Sequence, residues 1–185
     1  MRVVIIDNGS KYLPVLENIF ADKQVSVYAY DKFNMTSLRS NDLVVLSGGH
    51  MSPVLWHNKV FAKEIELIRI HRGPIIGICL GFELITHVFG SHLHLMKQRR
   101  KGLVNVWPVK ENELLADTTI VKVYENHNWA VQKVKQPLVS LVESEDGIEV
   151  LKHSTRPIYG LQFHPEADLR VGGQRIFKKI IESVS

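Results

Sequence analysis

A single cysteine, Cys79, stands among the 185 residues. One thiol excludes an internal disulfide and the small stapled folds that depend on one. No apolar run approaches the roughly 20 residues that a membrane helix needs. The opening Met1-Arg2-Val3-Val4-Ile5-Ile6-Asp7 lacks the basic, apolar, small-residue order of a signal peptide. A cytoplasmic address without membrane contact is therefore expected. There is no internal repeat, low-complexity tract or Pro/Gly/Ser-rich linker, so a single domain over residues 1–185 is expected. No G-x-x-x-x-G-K-[ST] phosphate loop is present. The sole cysteine and scattered histidines show no metal-ligand spacing, so neither a metal nor an organic cofactor is expected in this chain.

What is present reads as an ordinary globular protein. The chain is 45% hydrophobic and 23% charged, and long enough to bury a sizeable core. The formal charge is +4 with nine histidines neutral, and part of the excess lies in Lys97-Gln98-Arg99-Arg100-Lys101. That run could meet an acidic partner or a phosphate, but it reads first as a solvated turn. No aromatic residue interleaves with it to stack on bases, so no nucleic-acid partner is expected.

The first half alternates strand and helix signals. Val3–Ile6, Val25–Tyr30, Leu43–Leu46 and Pro74–Ile78 are short apolar runs, as for strands buried on both faces. Between them Tyr12, Leu16, Ile19 and Phe20, then Phe61, Ile65, Leu67 and Ile68, recur at helical spacing. Leu80–Phe89 follows as a helix stopped by Gly90. The second half holds shorter strand-like runs at 103–109, 119–124, 138–142, 148–153 and 158–163, and a final helix over about 173–183. This order predicts an α/β fold, a three-layer sandwich on a mixed, mostly parallel sheet with antiparallel additions.

Three segments carry chemistry. Gly77-Ile78-Cys79-Leu80-Gly81 is G-x-C-x-G where the fourth strand meets its helix, the thiol counterpart of a nucleophile elbow. A lone cysteine is more often a small buried hydrophobe. Here the strand–turn–helix setting favours an exposed nucleophile, with the helix N-terminus expected to stabilise a thiolate and an oxyanion. Ser47-Gly48-Gly49-His50 ends the third strand. Alone it is a tight turn; beside an elbow it is a candidate oxyanion loop, with the Gly49 and Leu80 N–H groups as donors. Gln162-Phe163-His164-Pro165-Glu166 follows the last strong strand. His164 could serve the thiol as base while Glu166 holds its other ring nitrogen, although a strand end with an incidental histidine reads the same locally.

Together these segments resemble the class I (triad) glutamine amidotransferases, with Tyr159-Gly160-Leu161 extending the third match. The resemblance implies a flavodoxin-like fold, a Cys79, His164 and Glu166 triad, L-glutamine as substrate, and ammonia passed to an ATP-dependent synthetase that holds the ATP and Mg²⁺. Glu125-Asn126-His127-Asn128-Trp129-Ala130-Val131 is similar to the family's glutamine-holding loop, which implies substrate contacts for Asn126, Asn128 and Trp129, with Gly48 and Glu83 joining them. Where the family usually has Gln, this chain has Glu83, a carboxylate that could attract the substrate ammonium but repel its carboxylate. Asp7-Asn8-Gly9-Ser10 and Lys152–Gly160 resemble the glutaminase component of two-subunit, archaeal-type GMP synthetases, which implies an XMP-aminating partner. Trp129-Ala130-Val131 looks more like the glutaminase of carbamoyl-phosphate synthetase. An anthranilate-type glutaminase, a γ-glutamyl-peptide hydrolase and a non-catalytic pseudo-glutaminase are the other readings.

Overall fold

A computed structural model of the chain describes residues 2–50, 54, 59–110, 112–115, 118–168 and 172–185. The elements of its first half are β1 (Arg2–Asn8), α1 (Leu13–Ile19), β2 (Gln24–Ala29), β3 (Leu43–Gly49), α2 (Ala62–Ile70), β4 (Ile75–Ile78) and α3 (Leu80–Val88). Those of the second half are β5 (His94–Pro108), β6 (Val121–Ala130), β7 (Leu138–Ser144), β8 (Gly147–His153), β9 (Ile158–Leu161) and α4 (Gly172–Val184). The strands form a sheet in the order β2-β1-β3-β4-β9-β8-β7-β5-β6. From β2 to β9 neighbours run parallel; from β9 to β6 they run antiparallel.

The continuous apolar runs are explained by two cores. Val4, Ile6, Val44, Leu46 and Ile75 pack with Ile65 and Ile68 of α2 and Phe82 and Ile85 of α3. Val3, Ile5, Leu43, Val45 and Ile76 turn to the other face, against Leu16 of α1 and Ile176, Phe177 and Ile180 of α4. Alternate residues of one strand thus enter different cores, which is why neither face of β1 or β3 can be polar. Burying such a side chain contributes about 1.5–3 kcal/mol, and it fixes the register: Val44 opposes Ile75 and Leu46 opposes Gly77.

The strand β9 returns beside β4, pairing Gly77 with Gly160 and Ile78 with Leu161. The segment after β9 therefore emerges next to the segment after β4, which brings residues far apart in sequence to one end of the sheet. The basic run 97–101 is part of the long strand β5, not a turn. Arg100 pairs with Asp146 in the turn between β7 and β8, and the exposed Arg99 donates to Asn126 Oδ1 of β6 at 3.0 Å, so the run stays largely solvated as expected. The stretch Glu125–Ala130 is strand rather than loop. Among the described residues no helix is long and apolar enough to cross a membrane.

Candidate active site

The elbow between β4 and α3 is built by close backbone approach. Cys79 has φ 49° and ψ −97°, and among the described residues it alone of the non-glycines has positive φ. Such a conformation costs on the order of 1–3 kcal/mol and persists because the surroundings impose it. The Cys79 N–H donates to Leu161 O at 2.7 Å, and Glu83 N–H closes the first helical turn onto Cys79 O at 2.9 Å. A Cβ on Gly81 would overlap the Leu46 carbonyl, and one on Gly77 would overlap the Gly81 backbone. The two glycines of the motif thus let α3 start directly against β3 and β4.

His164 follows β9 and is tied down by its N–H, which donates to Tyr124 O at 2.8 Å. Its Nδ1 lies 3.0 Å from Glu166 Oε1. An ionised carboxylate only accepts, so Nδ1 carries the proton and Nε2 presents a lone pair. Tyr12 stacks at 5.4 Å between ring centroids, tilted by 57°. Gly48 sits between the partners: a Cβ there would come 2.7 Å from His164 Cε1 and 3.6 Å from Cys79 Cβ. Gly48 does not line the cavity. It leaves room for the imidazole beside the thiol, a steric part that a substrate-contact reading does not describe.

The thiol is 4% exposed. Burial pushes its pKa well up, and Glu83, Glu166 and Glu149 add to the rise. The opposing contact is the Leu80 N–H at the helix start. The expected helix-end stabilisation is therefore present but outweighed, because removing a thiolate from water costs more than one N–H returns. The resting nucleophile is a neutral thiol. Gln162 Nε2 donates to Sγ at 3.9 Å, a contact that the sequence does not single out.

Two buried carboxyls flank this centre. Glu83 is 6% exposed, and burial raises its pKa to about 8. Near neutral pH the buried Glu83 carboxyl is thus largely protonated and able to donate a hydrogen bond. Glu64 of α2 is likewise raised to about 8 by burial, against a hydrogen bond from Asn8 Nδ2 to its Oε1 at 3.0 Å. Asn8 also donates from Nδ2 to Ser47 O at 3.1 Å and from its backbone N–H to Ser47 Oγ at 2.9 Å. This brace holds the glycine loop that ends β3.

A cavity of about 740 Å³ opens at the carboxyl ends of these strands, where ligands of open α/β sheets bind. Cys79, Leu80, Gly49, Glu83 and His164 line one side; Asn126, Asn128 and Trp129 line another. Glu166 stands behind His164 and is 1% exposed. Sequence reasoning missed Arg99, Tyr12 and His50, which also face the cavity. Arg99 belongs to the run read as solvated, and no local spacing marks it as different from its neighbours.

Comparison with known proteins gives a consistent result. The model of the family Glutamine amidotransferase class-I matches residues 4–184. The chain is 30% identical over 184 residues to a subunit of the glutamine-hydrolyzing GMP synthase of Methanocaldococcus jannaschii, covering 95% of this chain and 94% of that one. Against the glutamine-hydrolyzing GMP synthase of Spiroplasma kunkelii it is 25% identical over 190 residues, 99% of this chain but 36% of that protein, so it spans about a third of that relative. The carbamoyl phosphate synthase small chain of Clostridium perfringens is 32% identical over 169 residues, 90% of this chain and 46% of that one. Among solved structures, a Thermoplasma acidophilum protein described as a candidate GMP synthase subunit superposes with TM-score 0.85 at 25% identity, over 98% of this chain and 92% of that one.

Proposed function

As the chain belongs to the class-I glutamine amidotransferase family, we propose that it hydrolyses L-glutamine to glutamate and ammonia through Cys79, His164 and Glu166, and passes the ammonia to a synthetase partner. The observation that carries this reading is the strained elbow, which places Cys79 beside an imidazole whose Nδ1–H is held by Glu166. A buried residue held at positive φ against its own steric preference is expected where function requires it.

The chemistry follows from the protonation states. Glutamine binding brings its carboxamide carbon to Sγ, and His164 Nε2 takes the thiol proton as the C–S bond forms. The oxyanion faces the Leu80 and Gly49 N–H groups, each worth on the order of 3 kcal/mol in the transition state. The imidazolium, steadied by Glu166, returns its proton to the departing nitrogen, and ammonia leaves a thioester. Water, deprotonated by His164, then releases glutamate. Because the resting thiol is neutral, proton transfer to His164 Nε2 and attack on the carboxamide carbon are coupled. Arg99 offers a cation for the substrate carboxylate, and neutral Glu83 offers a hydrogen bond where the family usually has Gln.

The acceptor favoured by the GMP synthase relatives is XMP, aminated to GMP by an ATP-dependent partner in purine synthesis; ATP and Mg²⁺ would belong to that partner. The Clostridium perfringens relative, together with Trp129-Ala130-Val131, favours carbamoyl-phosphate synthesis as the second reading. The catalytic assignment is tested by Cys79→Ala with glutamate release and thermal melting measured together. Loss of hydrolysis in a folded protein is expected; retained hydrolysis would remove Cys79 from the mechanism.

A further inference from the structure

Apart from the catalytic cluster, the sheet brings together three buried side chains of ligating type. Glu125 and His127 alternate on the inward face of β6, and Glu149 comes from β8. One ligand atom from each lies within 4.8 Å of the others. The residues are 0%, 4% and 1% exposed respectively.

The hydrogen-bond roles here are constrained. His127 Nδ1 lies 2.7 Å from the Trp129 carbonyl oxygen. A carbonyl only accepts, so Nδ1 is the protonated nitrogen. In the neutral ring Nε2 then carries a lone pair, and it faces another acceptor, Glu125 Oε2, at 3.1 Å. Glu149 Oε1 accepts from the Ser144 hydroxyl at 2.8 Å. The remaining oxygens, Glu125 Oε1 and Glu149 Oε2, are buried without a hydrogen-bond partner. Burial, and after it the neighbouring Glu125, push the Glu149 carboxyl well above the usual carboxylate range, so without a cation the pair holds a proton in this dry site. A divalent cation would take the place of that proton among two carboxyl groups and a nitrogen lone pair turned toward one another out of water.

We propose that Glu125, His127 and Glu149 form a structural binding site for a divalent first-row transition cation, with Zn²⁺ the best match. One imidazole nitrogen and two carboxylate oxygens are ligands Zn²⁺ takes readily, and its charge would displace the proton held by the carboxyl pair. Mg²⁺ is a poorer match, because it keeps several waters and favours oxygen ligands. The supporting contacts that orient metal ligands are already made: the Trp129 carbonyl fixes the imidazole tautomer, and Ser144 fixes Glu149. His127 also borders the main cavity, which gives the ion a way in. A bound cation would tie the cavity-lining stretch Asn126–Trp129 to β8. This goes beyond glutamine hydrolysis and stands or falls separately from it.

The test uses untagged protein carrying Cys79→Ala, so that the thiol cannot compete for metal. After EDTA treatment and dialysis, ZnCl₂, MnCl₂ and MgCl₂ are titrated calorimetrically, metal content is measured, and melting is followed with and without Zn²⁺. One Zn²⁺ per chain is expected, with a higher melting temperature in its presence and little response to MgCl₂. Adding Glu149→Gln or, separately, Glu125→Gln should weaken Zn²⁺ binding on the order of 100-fold and abolish the melting response. The alternative occupant is a proton shared by the two carboxyl groups. Substoichiometric uptake, or uptake that both variants leave unchanged, would overturn the proposal in favour of protons or of surface histidines. Should either variant fail to fold, stoichiometry and melting of the parent protein decide.

Discussion

Glu83 lies one helical turn past Cys79, where a charged carboxylate would meet the substrate carboxylate unfavourably. Its pKa of about 8 makes the contact pH-dependent. Near pH 7, Glu83→Gln is expected to change KM for glutamine by less than about threefold, since acid and amide both donate a hydrogen bond. Above pH 8 the wild-type KM should rise while that of the variant stays flat, which steady-state kinetics from about pH 6.5 to 9.5 would show. A wild-type KM that falls at high pH would mean instead that the carboxylate grips the substrate ammonium. At His164 and Glu166 the expected order is fixed by role. His164 moves protons, and Glu166 orients and steadies the ring, so His164→Ala should cost kcat on the order of tenfold more than Glu166→Gln. The reverse order in folded variants, read from kcat, would mean the roles are misassigned.

The start of α3 is the element whose geometry the chemistry depends on, and its strain is measurable. Cys79→Gly relieves the positive φ, whereas Cys79→Ala keeps it. Both should be inactive, but the glycine variant should be more stable by about 1–3 kcal/mol, or roughly 2–4 °C in Tm per kcal/mol. A higher Tm for the alanine variant would show that the elbow is not strained. The packing of α3 on β3 gives a contrasting case. In Gly81→Ala the new methyl would collide with the Leu46 carbonyl, a backbone atom that cannot swing aside. That change should displace the helix start and lower Tm by several degrees, with loss of activity as a consequence.

Buried acids with raised pKa values, Glu64, Glu83 and Glu149, shape the stability of the whole molecule. Glu64 and Glu83 have folded-state pKa values of about 8 against an ordinary 4.5. Between those values the folded protein holds protons that the unfolded chain has released. Stability is therefore highest below about pH 4.5, as far as these two groups decide it, and falls as pH rises toward 8, by up to about 1.4 kcal/mol per pH unit for each group. Denaturant melts across that range should be flattened by Glu64→Gln, and a slope unchanged by it would place the proton elsewhere. On the same scale, glutaminase activity is expected to be low alone and to rise with an XMP-aminating synthetase, ATP and XMP. Following GMP and glutamate together would show this. No GMP from glutamine, while ammonium salts still support the synthetase, would reject that acceptor and leave glutamine hydrolysis standing. The basic run offers less free charge to a partner than its composition implies, because Arg100 is engaged by Asp146. Lys97 and Lys101 remain exposed, so Lys97→Glu should slow docking mainly at low salt.

The sequence by itself determined what local pattern can carry. Unbroken apolar runs specified strands buried on both faces, helical spacing specified what covers them, and the two glycines around Cys79 specified a turn that only close backbone contact explains. His164 and Glu166 were legible because they bond to each other two residues apart. Tertiary structure decided the rest, because burial and cross-strand distance depend on sheet register rather than on spacing along the chain. Only once β9 lies against β4 does the His164 segment stand beside the elbow. Only folding buries Glu83 and Glu64 enough to neutralise them, and raises the thiol that a helix end alone would lower. Arg99 looked like any member of a basic run until β5 paired with β6 at the cavity. Glu149 had no readable partner until folding carried β8 to His127, because the sheet, with β7 and β5 between β8 and β6 in its order, brings together charges that the sequence keeps apart.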